Sequence, residues 1–167
     1  MIKIKLSTVL ILVILLYPYS YAQQSVLQFA NATGRVIDRL AIDKLDDLRF
    51  GTIISSKTPG TVTISTESTR SSTGGVTLIP SDYGASFFKI LGTPYSSFAL
   101  TIPTASIYIT NNNNASMEVK TWTKDRPARP TLNSMGYLEV RIGATLVVDT
   151  FQEIGNYTGT FTVTVNY

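Results

Sequence analysis

The chain has 167 residues, of which 14 are basic and 11 acidic, and it contains neither cysteine nor histidine. Without these two residue types there is no imidazole base, no thiolate nucleophile, and no histidine- or sulfur-bound metal. We therefore expect no catalytic residues, no metal site and no cofactor. Disulfides are excluded as well, so buried apolar side chains and sheet hydrogen bonds must hold the fold together.

The first 22 residues have the pattern of a secretory signal peptide. The lysines of "MIKIK" precede an apolar run, Leu6–Leu16, and Ser20–Ala22 puts small residues where a signal peptidase reads them. The apolar run is too short to span a bilayer. We expect cleavage after Ala22 and no membrane span in the remaining chain, 23–167. A retained N-terminal anchor is the alternative.

The net charge gives no reason to expect a nucleic-acid partner. Two of the 14 basic residues lie in the predicted signal, so 12 remain against 11 acidic ones and the formal charge falls from +3 to +1. The sequence pI of about 9.2 therefore overstates how basic the exported chain is.

Short strand patterns follow one another along the exported chain. In "GTVTIST", Val62 and Ile64 alternate with threonines, which is the period of two of a half-buried strand. Residues 36–51 fit a helix or a strand, and their neighbours favour the strand. Many short strands at this spacing predict an all-β fold, a single antiparallel β-sandwich of immunoglobulin-like or pilin-like type. Gly74 and Gly75 are interpreted as a hairpin turn.

Five carboxylates are the remaining candidates for chemistry: Asp43, Asp46, Asp47, Asp149 and Glu153. A glycosidase needs two carboxyl groups that face one cleft, and a calcium loop needs alternating oxygen ligands around a sharp glycine turn. The segment "DKLDDLRFG" lacks that alternation. We expect these side chains to be solvated or to form turns, with weak calcium binding as the alternative.

Trp122 is the one aromatic side chain considered as a ligand platform. On an ideal strand it lies opposite Met117 and Val119, beside charged residues, where an exposed indole could stack on a sugar. A single β-bulge would instead return it to the core. Core packing is the favoured interpretation.

Several of these segments together resemble a bacterial family of small secreted, fimbria-like β-proteins that is described as a domain of unknown function. The resemblance covers nearly the whole exported chain. It rests on Leu45–Ile53, Gly60–Ser65, Thr69–Leu78, Phe98–Pro103, Met117–Trp122, Leu138–Val148 and Gly155–Tyr167. It implies no catalytic residues, because the family has no firm activity. It implies export from a bacterium with an outer membrane and a place in surface filaments.

Both ends of the exported chain carry alternating apolar residues suited to pairing with another strand. The C-terminal row consists of Phe161, Val163 and Val165, and Gly155 and Tyr167 are similar to the upstream glycine and terminal aromatic of chaperone-bound fimbrial subunits. The N-terminal row consists of Val26, Ala30, Ala32, Gly34 and Val36. Residues 23–36 are either a donor strand for a neighbouring subunit or the first strand of the domain itself.

These observations predict a non-enzymatic, exported bacterial surface protein, a fimbria-like or pilus-like subunit that assembles by β-strand complementation. The expected partners are other copies of the chain or related subunits, with a periplasmic chaperone during transit. The alternative is a monomeric carbohydrate-binding or adhesive module that uses Trp122. A hydrolase is the least favoured hypothesis, because so few acid–base groups are available.

Overall fold

The computed structural model describes residues 27–167, in which eleven strands and no helix are found. The predicted signal peptide, residues 1–22, and Val26 lie outside the described residues. The chain divides into two units, Met1–Arg35 and Val36–Tyr167. No helix in the described part of the chain is long and apolar enough to cross a membrane.

The first unit is described from residue 27 onward and contains no regular structure there. Every side chain from residue 27 to residue 39 is exposed. Phe29 keeps 93% of its surface exposed and Val36 keeps 98%. Because the first strand begins at Ala41, residues 27–36 contribute no strand to the fold.

The second unit carries all the strands found in residues 27–167, and every pairing between them is antiparallel. In chain order they are β1 (Ala41–Asp46), β2 (Ile53–Ile54), β3 (Gly60–Ile64), β4 (Arg70–Gly74), β5 (Thr77–Leu78), β6 (Ser86–Leu91), β7 (Ala99–Thr101), β8 (Ile107–Thr110), β9 (Ser116–Lys124), β10 (Tyr137–Val148) and β11 (Thr164–Asn166).

The long strand β10 organises a seven-stranded sheet, in which the path β1-β6-β10-β3-β4 is joined by β9 and β8. Ile142 of β10 pairs with both Ser86 of β6 and Lys124 of β9, so these two strands lie on opposite edges of β10. Leu146 pairs with Val62 of β3 and also with β9, so β3 follows β6 along the same edge. Two small sheets, β2 with β5 and β7 with β11, complete the described fold.

The core follows directly from the alternation along β10. Its inward side chains are Val140, Ile142, Ala144, Leu146 and Val148, all of them buried. They divide between two apolar clusters. The first cluster comprises Val62, Val76, Met117, Val119, Ala144, Leu146 and Val148. The second cluster comprises Phe88, Ile90, Phe98, Leu100, Leu132, Val140 and Ile142.

The predicted all-β, antiparallel, sandwich-like class is confirmed, and so is a strand within residues 36–51, at Ala41–Asp46. The interpretation of Gly74 and Gly75 as a hairpin turn is wrong. Gly74, with φ of 65°, ends β4, and the following strand β5 pairs with β2 instead of β4. The β3–β4 hairpin closes earlier, where the amide of Ser65 donates to the carbonyl of Thr69 at 3.0 Å.

Candidate functional site

An apolar groove of about 1100 Å³ lies over the first cluster. Its floor is the inner face of the main sheet, formed by Ile107, Ile109, Met117, Val119, Trp122, Leu146 and Val148. One wall is residues 47–55 and the other is residues 151–159, with Phe161 at the end of the second wall. We call this feature the open groove.

The open groove has an apolar floor, and its walls carry exposed apolar side chains. Met117 and Val119 are buried, whereas Ile107 and Ile109 of β8 are half-buried. Three apolar side chains in the walls are exposed: Ile54, Phe151 and Ile154. Ile154 keeps 95% of its surface exposed. Exposed apolar groups that line one groove are typical of a surface that binds another chain.

A β-bulge in β9 turns Trp122 toward the floor of the open groove. The register of β9 on β10 shifts between Gly143 and Thr145, and Thr121 adopts a positive φ of 54°. The extra residue reverses the alternation, so Trp122 faces inward like Met117 and Val119. The indole is half-buried and packs against both apolar clusters.

The polar edge of Trp122 is already bound within the chain. Its Nε1–H donates to the carbonyl of Ala105 at 3.1 Å. Its ring lies 4.8 Å from the ring of Phe161, centroid to centroid. A buried indole usually finds such a hydrogen-bond partner. The geometry therefore favours a packing role over a sugar-stacking platform.

The C-terminal residues singled out in the sequence separate into two groups. Gly155 and Phe161 line the open groove. Val163 and Val165 pack, with Phe161, against the second cluster. The hydroxyl of Tyr167 accepts a hydrogen bond of 2.9 Å from the amide of Thr93.

Residues 158–164 have few backbone hydrogen-bond partners. Thr158 and Thr110 exchange two backbone hydrogen bonds, of 2.9 and 3.0 Å, beside β8. The chain next pairs in β11, which begins at Thr164. Among the described residues, no backbone hydrogen bond joins residues 159–162 to another segment. A second cavity, of about 150 Å³, also lies against Gly159, Thr160 and Phe161.

A polar network holds the second wall to the β8–β9 loop. The hydroxyl of Tyr157 donates to the carbonyl of Glu153 at 2.7 Å and accepts from Gln152 Nε2 at 2.9 Å. The Glu153 carboxylate accepts from Asn113 Nδ2 at 2.5 Å and from Asn111 Nδ2 at 3.4 Å. Asn111 is one of the few buried polar residues. These side-chain hydrogen bonds position the wall together with the backbone hydrogen bonds of Phe151 and Thr158.

A group of ion pairs lies at the first wall of the open groove. Arg49 Nη2 donates to Asp46 Oδ2 at 3.0 Å, and Arg49 Nε lies 2.8 Å from Asp82 Oδ2. The hydrogen bond from Arg49 holds the pKa of Asp46 below its usual range, and the same contact raises the pKa of Arg49. Asp47 pairs with Lys44 at 2.6 Å. Two of the candidate calcium carboxylates therefore already have cationic partners.

Within residues 27–167, no group of three or more acidic, histidine or cysteine side chains could hold a metal ion. Asp43 lies on β1, and Asp149 directly follows β10. Glu153 instead belongs to the polar network of the second wall. The five carboxylates considered in the sequence are thus not gathered into one site.

Sequence reasoning missed most of the residues that form the open groove. Ile107 and Ile109 alternate in "ASIYIT", which marks an inward face but does not show whether another strand covers it. Ile54 and Ile154 carried no pattern, because they lie in wall segments without regular alternation. Only tertiary structure brings these side chains together.

The sequence was compared with protein families, with curated proteins and with solved structures. No curated protein and no solved structure matches the chain. Residues 40–167 match the family described as Domain of unknown function (DUF4402). The match begins one residue before β1 and ends at the last residue, so it includes every strand described above. Because it covers well over half of the sequence, the chain belongs to this family of domains of unknown function.

Proposed function

We propose that the protein is a non-enzymatic, exported bacterial surface protein, a fimbria-like structural subunit that assembles by β-strand complementation. One observation carries the proposal: an alternating segment stands outside the strands of a domain that also has an open apolar groove. Strand complementation needs both parts, since backbone hydrogen bonds provide affinity and alternating side chains fill pockets.

The exposed segment supports the donor part of this proposal. Val36 costs free energy while it stays in water, because burial of a large apolar side chain contributes roughly 1.5–3 kcal/mol. Its exposure of 98% leaves this contribution unused in the single chain. A partner surface that covered the segment would recover it.

The C-terminal strand does not need a partner in the same way. Phe161, Val163 and Val165 already pack on the second cluster of their own chain. The terminal Tyr167 is tied to Thr93. We therefore assign the donor role to the N-terminal segment and treat β11 as a strand that the domain keeps.

The proposal is tested on the native cell surface. Electron microscopy with a gold-labelled antibody to the chain should show labelled filaments or fibrillar material. Deletion of residues 23–34 should abolish the polymer while the monomer keeps its cooperative unfolding transition. A protein that stays monomeric at high concentration, together with a native surface that carries no polymer containing it, would overturn the proposal. Unfolding of the deletion variant would show that the segment belongs to the domain's own fold.

A further inference from the structure

The open groove and the exposed N-terminal segment differ in charge in a way that favours their association. The groove is lined by three carboxylates, Asp47, Asp82 and Glu153, and by one guanidinium, that of Arg49. Within residues 23–36 the single charged side chain is that of Arg35. A cationic strand would approach these carboxylates, two of which already pair with Lys44 and Arg49, without a like-charge penalty.

The groove also offers what an added strand needs. Its walls present Ile54, Phe151 and Ile154, which are exposed in the single chain. Residues 159–162 have no backbone hydrogen-bond partner in the described part of the chain. Unpaired backbone beside an apolar floor is the arrangement that accepts another strand.

The chain leaves the sandwich at a point far from its own groove. The amide of Asp38 donates to Thr93 Oγ1 at 2.7 Å. Thr93 lies two residues after the end of β6. There, Leu91 pairs with Tyr137, the first residue of β10. The groove floor includes Leu146, nine positions further along β10. At about 3.3 Å per residue these ends of β10 are roughly 30 Å apart.

Chain length then limits which part of the row can reach the chain's own groove. Val36 lies two residues before Asp38, and Gly34 lies four residues before it. A fully extended chain spans at most about 3.6 Å per residue, so these positions reach roughly 7 and 14 Å from Asp38. Even at the near end of the groove, Trp122 precedes Thr123, the partner of Gly143, which lies about 20 Å along β10 from Tyr137. The complete apolar row cannot fill the groove of its own copy.

From these relationships we infer that the open groove is the acceptor site for residues 26–36 of a second copy of the chain. The inference rests on the proposed assembly function. It identifies the two surfaces in contact, the N-terminal segment of one copy and the open groove of the next. In the complex, the row Val26, Ala30, Ala32, Gly34 and Val36 faces the groove between its two walls. The middle of the row has small side chains, so its backbone can approach the buried Met117 and Val119 closely.

The experiment uses single-cysteine variants, since the natural chain has no cysteine that would interfere. The donor variant is Ala32→Cys and the acceptor variant is Ile54→Cys, which changes an exposed position at the groove rim. Exported full-length chains with two different affinity tags are mixed, allowed to assemble, and treated with a short bismaleimide. Tyr95→Cys is the matched acceptor control, because Tyr95 is 72% exposed and does not line the groove.

The expected result is a cross-linked product that carries both tags, formed at least tenfold more with Ile54→Cys than with Tyr95→Cys. Polymers that form with equal cross-linking at both positions would overturn the acceptor assignment and leave the assembly function standing. A chain carrying both Ala32→Cys and Ile54→Cys that cross-links only within a monomer would also overturn it. Absence of any assembly for the unmodified chain would instead remove the proposed function itself.

Discussion

The ring of Phe161 packs against the indole of Trp122, with centroids 4.8 Å apart and ring planes inclined by 42°. Trp122 lies on β9 in the main sheet, and Phe161 lies between the Thr158 bridge and β11. The pair therefore joins the sheet to the C-terminal segment at the end of the open groove. Trp122 contacts both apolar clusters and Phe161 contacts the second, so this aromatic contact connects the two halves of the core.

Replacement of Trp122 by alanine should destabilise the fold by about 3 kcal/mol, near the lower end for large aromatic deletions because the indole is half-buried. Urea unfolding measures the change as a lower midpoint with an unchanged slope. Tyr95→Ala is the control, since an exposed side chain should change stability by no more than about 0.5 kcal/mol. A Trp122→Ala protein of natural stability that no longer binds glycans would support the ligand-platform alternative instead.

The contact itself can be measured by a double-mutant cycle on Trp122 and Phe161. The two single alanine variants should together cost more than the double variant, with a coupling of about 1 kcal/mol, because each single change already removes the shared contact. Additive effects of the two substitutions would show that the rings do not stabilise one another.

The bulge residue Thr121 should be replaceable with a gain in stability. Its φ of 54° is unfavourable for a β-branched side chain, whereas asparagine tolerates this region. We expect Thr121→Asn to raise stability by about 0.5–1 kcal/mol, measured by urea unfolding. Thr123→Asn on the same strand is the control and should lower stability by a few tenths of a kcal/mol, because asparagine has low β-propensity. Equal losses at both positions would contradict the strain at Thr121.

Most of the fold was predictable because its strands have a clear period of two. The alternation of Val62 and Ile64 marks the inward face of β3, and both side chains are buried. What alternation could not give was the partner of each strand. Gly74 and Gly75 indicate a turn, but the pairing of β5 with β2 depends on contacts made only in the folded chain. Register and pairing are tertiary properties.

The candidate site was less predictable than the fold. The row from Ala30 to Val36 is visible in the sequence, but a strand of the domain and a strand for another copy have the same pattern. Trp122 faces inward because of one extra residue in β9, and nothing local in "MEVKTWTKD" marks that bulge. Apart from the two-residue strand β2, the groove walls are irregular segments, for which a periodic pattern gives no signal.

Stability should fall in acid partly through Asp46. Its pKa is lowered in the folded state, chiefly by the hydrogen bond from Arg49. This stabilisation is therefore present above the unfolded pKa, near 4, and is lost as the pH falls through the lower folded value. Urea midpoints measured from pH 6 down to pH 3 should decline less steeply for Asp46→Asn than for the natural chain. Some decline should remain, because Glu67 and Glu118 also have lowered pKa values.

The partner side of this ion pair provides the matched control. Arg49→Met removes the hydrogen-bond donor to Asp46, so the urea midpoint should decline less steeply with falling pH, as it does for Asp46→Asn. The pH dependence of the urea midpoint should be no weaker in the double variant than in either single variant, because all three variants remove the same interaction. Independent, additive changes of slope would mean that the two side chains act through other partners.

Gly143 should tolerate no side chain. A Cβ added there would overlap the carbonyl oxygen of Ile64, a backbone atom of the neighbouring strand that cannot move alone. We expect Gly143→Ala to cost at least about 2 kcal/mol, since overpacking forces backbone shifts. Gly84→Ala is the control: its nearest neighbour would be Arg49 Nη2 at 3.5 Å, an ordinary contact, so its effect should stay within about 0.5 kcal/mol. Similar thermal midpoints for both variants would contradict the close approach of β3 and β10.

Tyr167 should protect the amide of Thr93 from hydrogen exchange in the free monomer. Its hydroxyl accepts from that amide at 2.9 Å, while Thr93 Oγ1 accepts from the amide of Asp38. Tyr167 and the point where the proposed donor segment leaves the sandwich therefore meet at one threonine. Tyr167→Phe should lower stability by about 0.5–1 kcal/mol and speed exchange at Thr93. The amide of Leu100, which donates to Ala128, should exchange as before. If Thr93 is protected only in the polymer, β11 is a strand given to a partner and the assignment of donor and retained strand must be reversed.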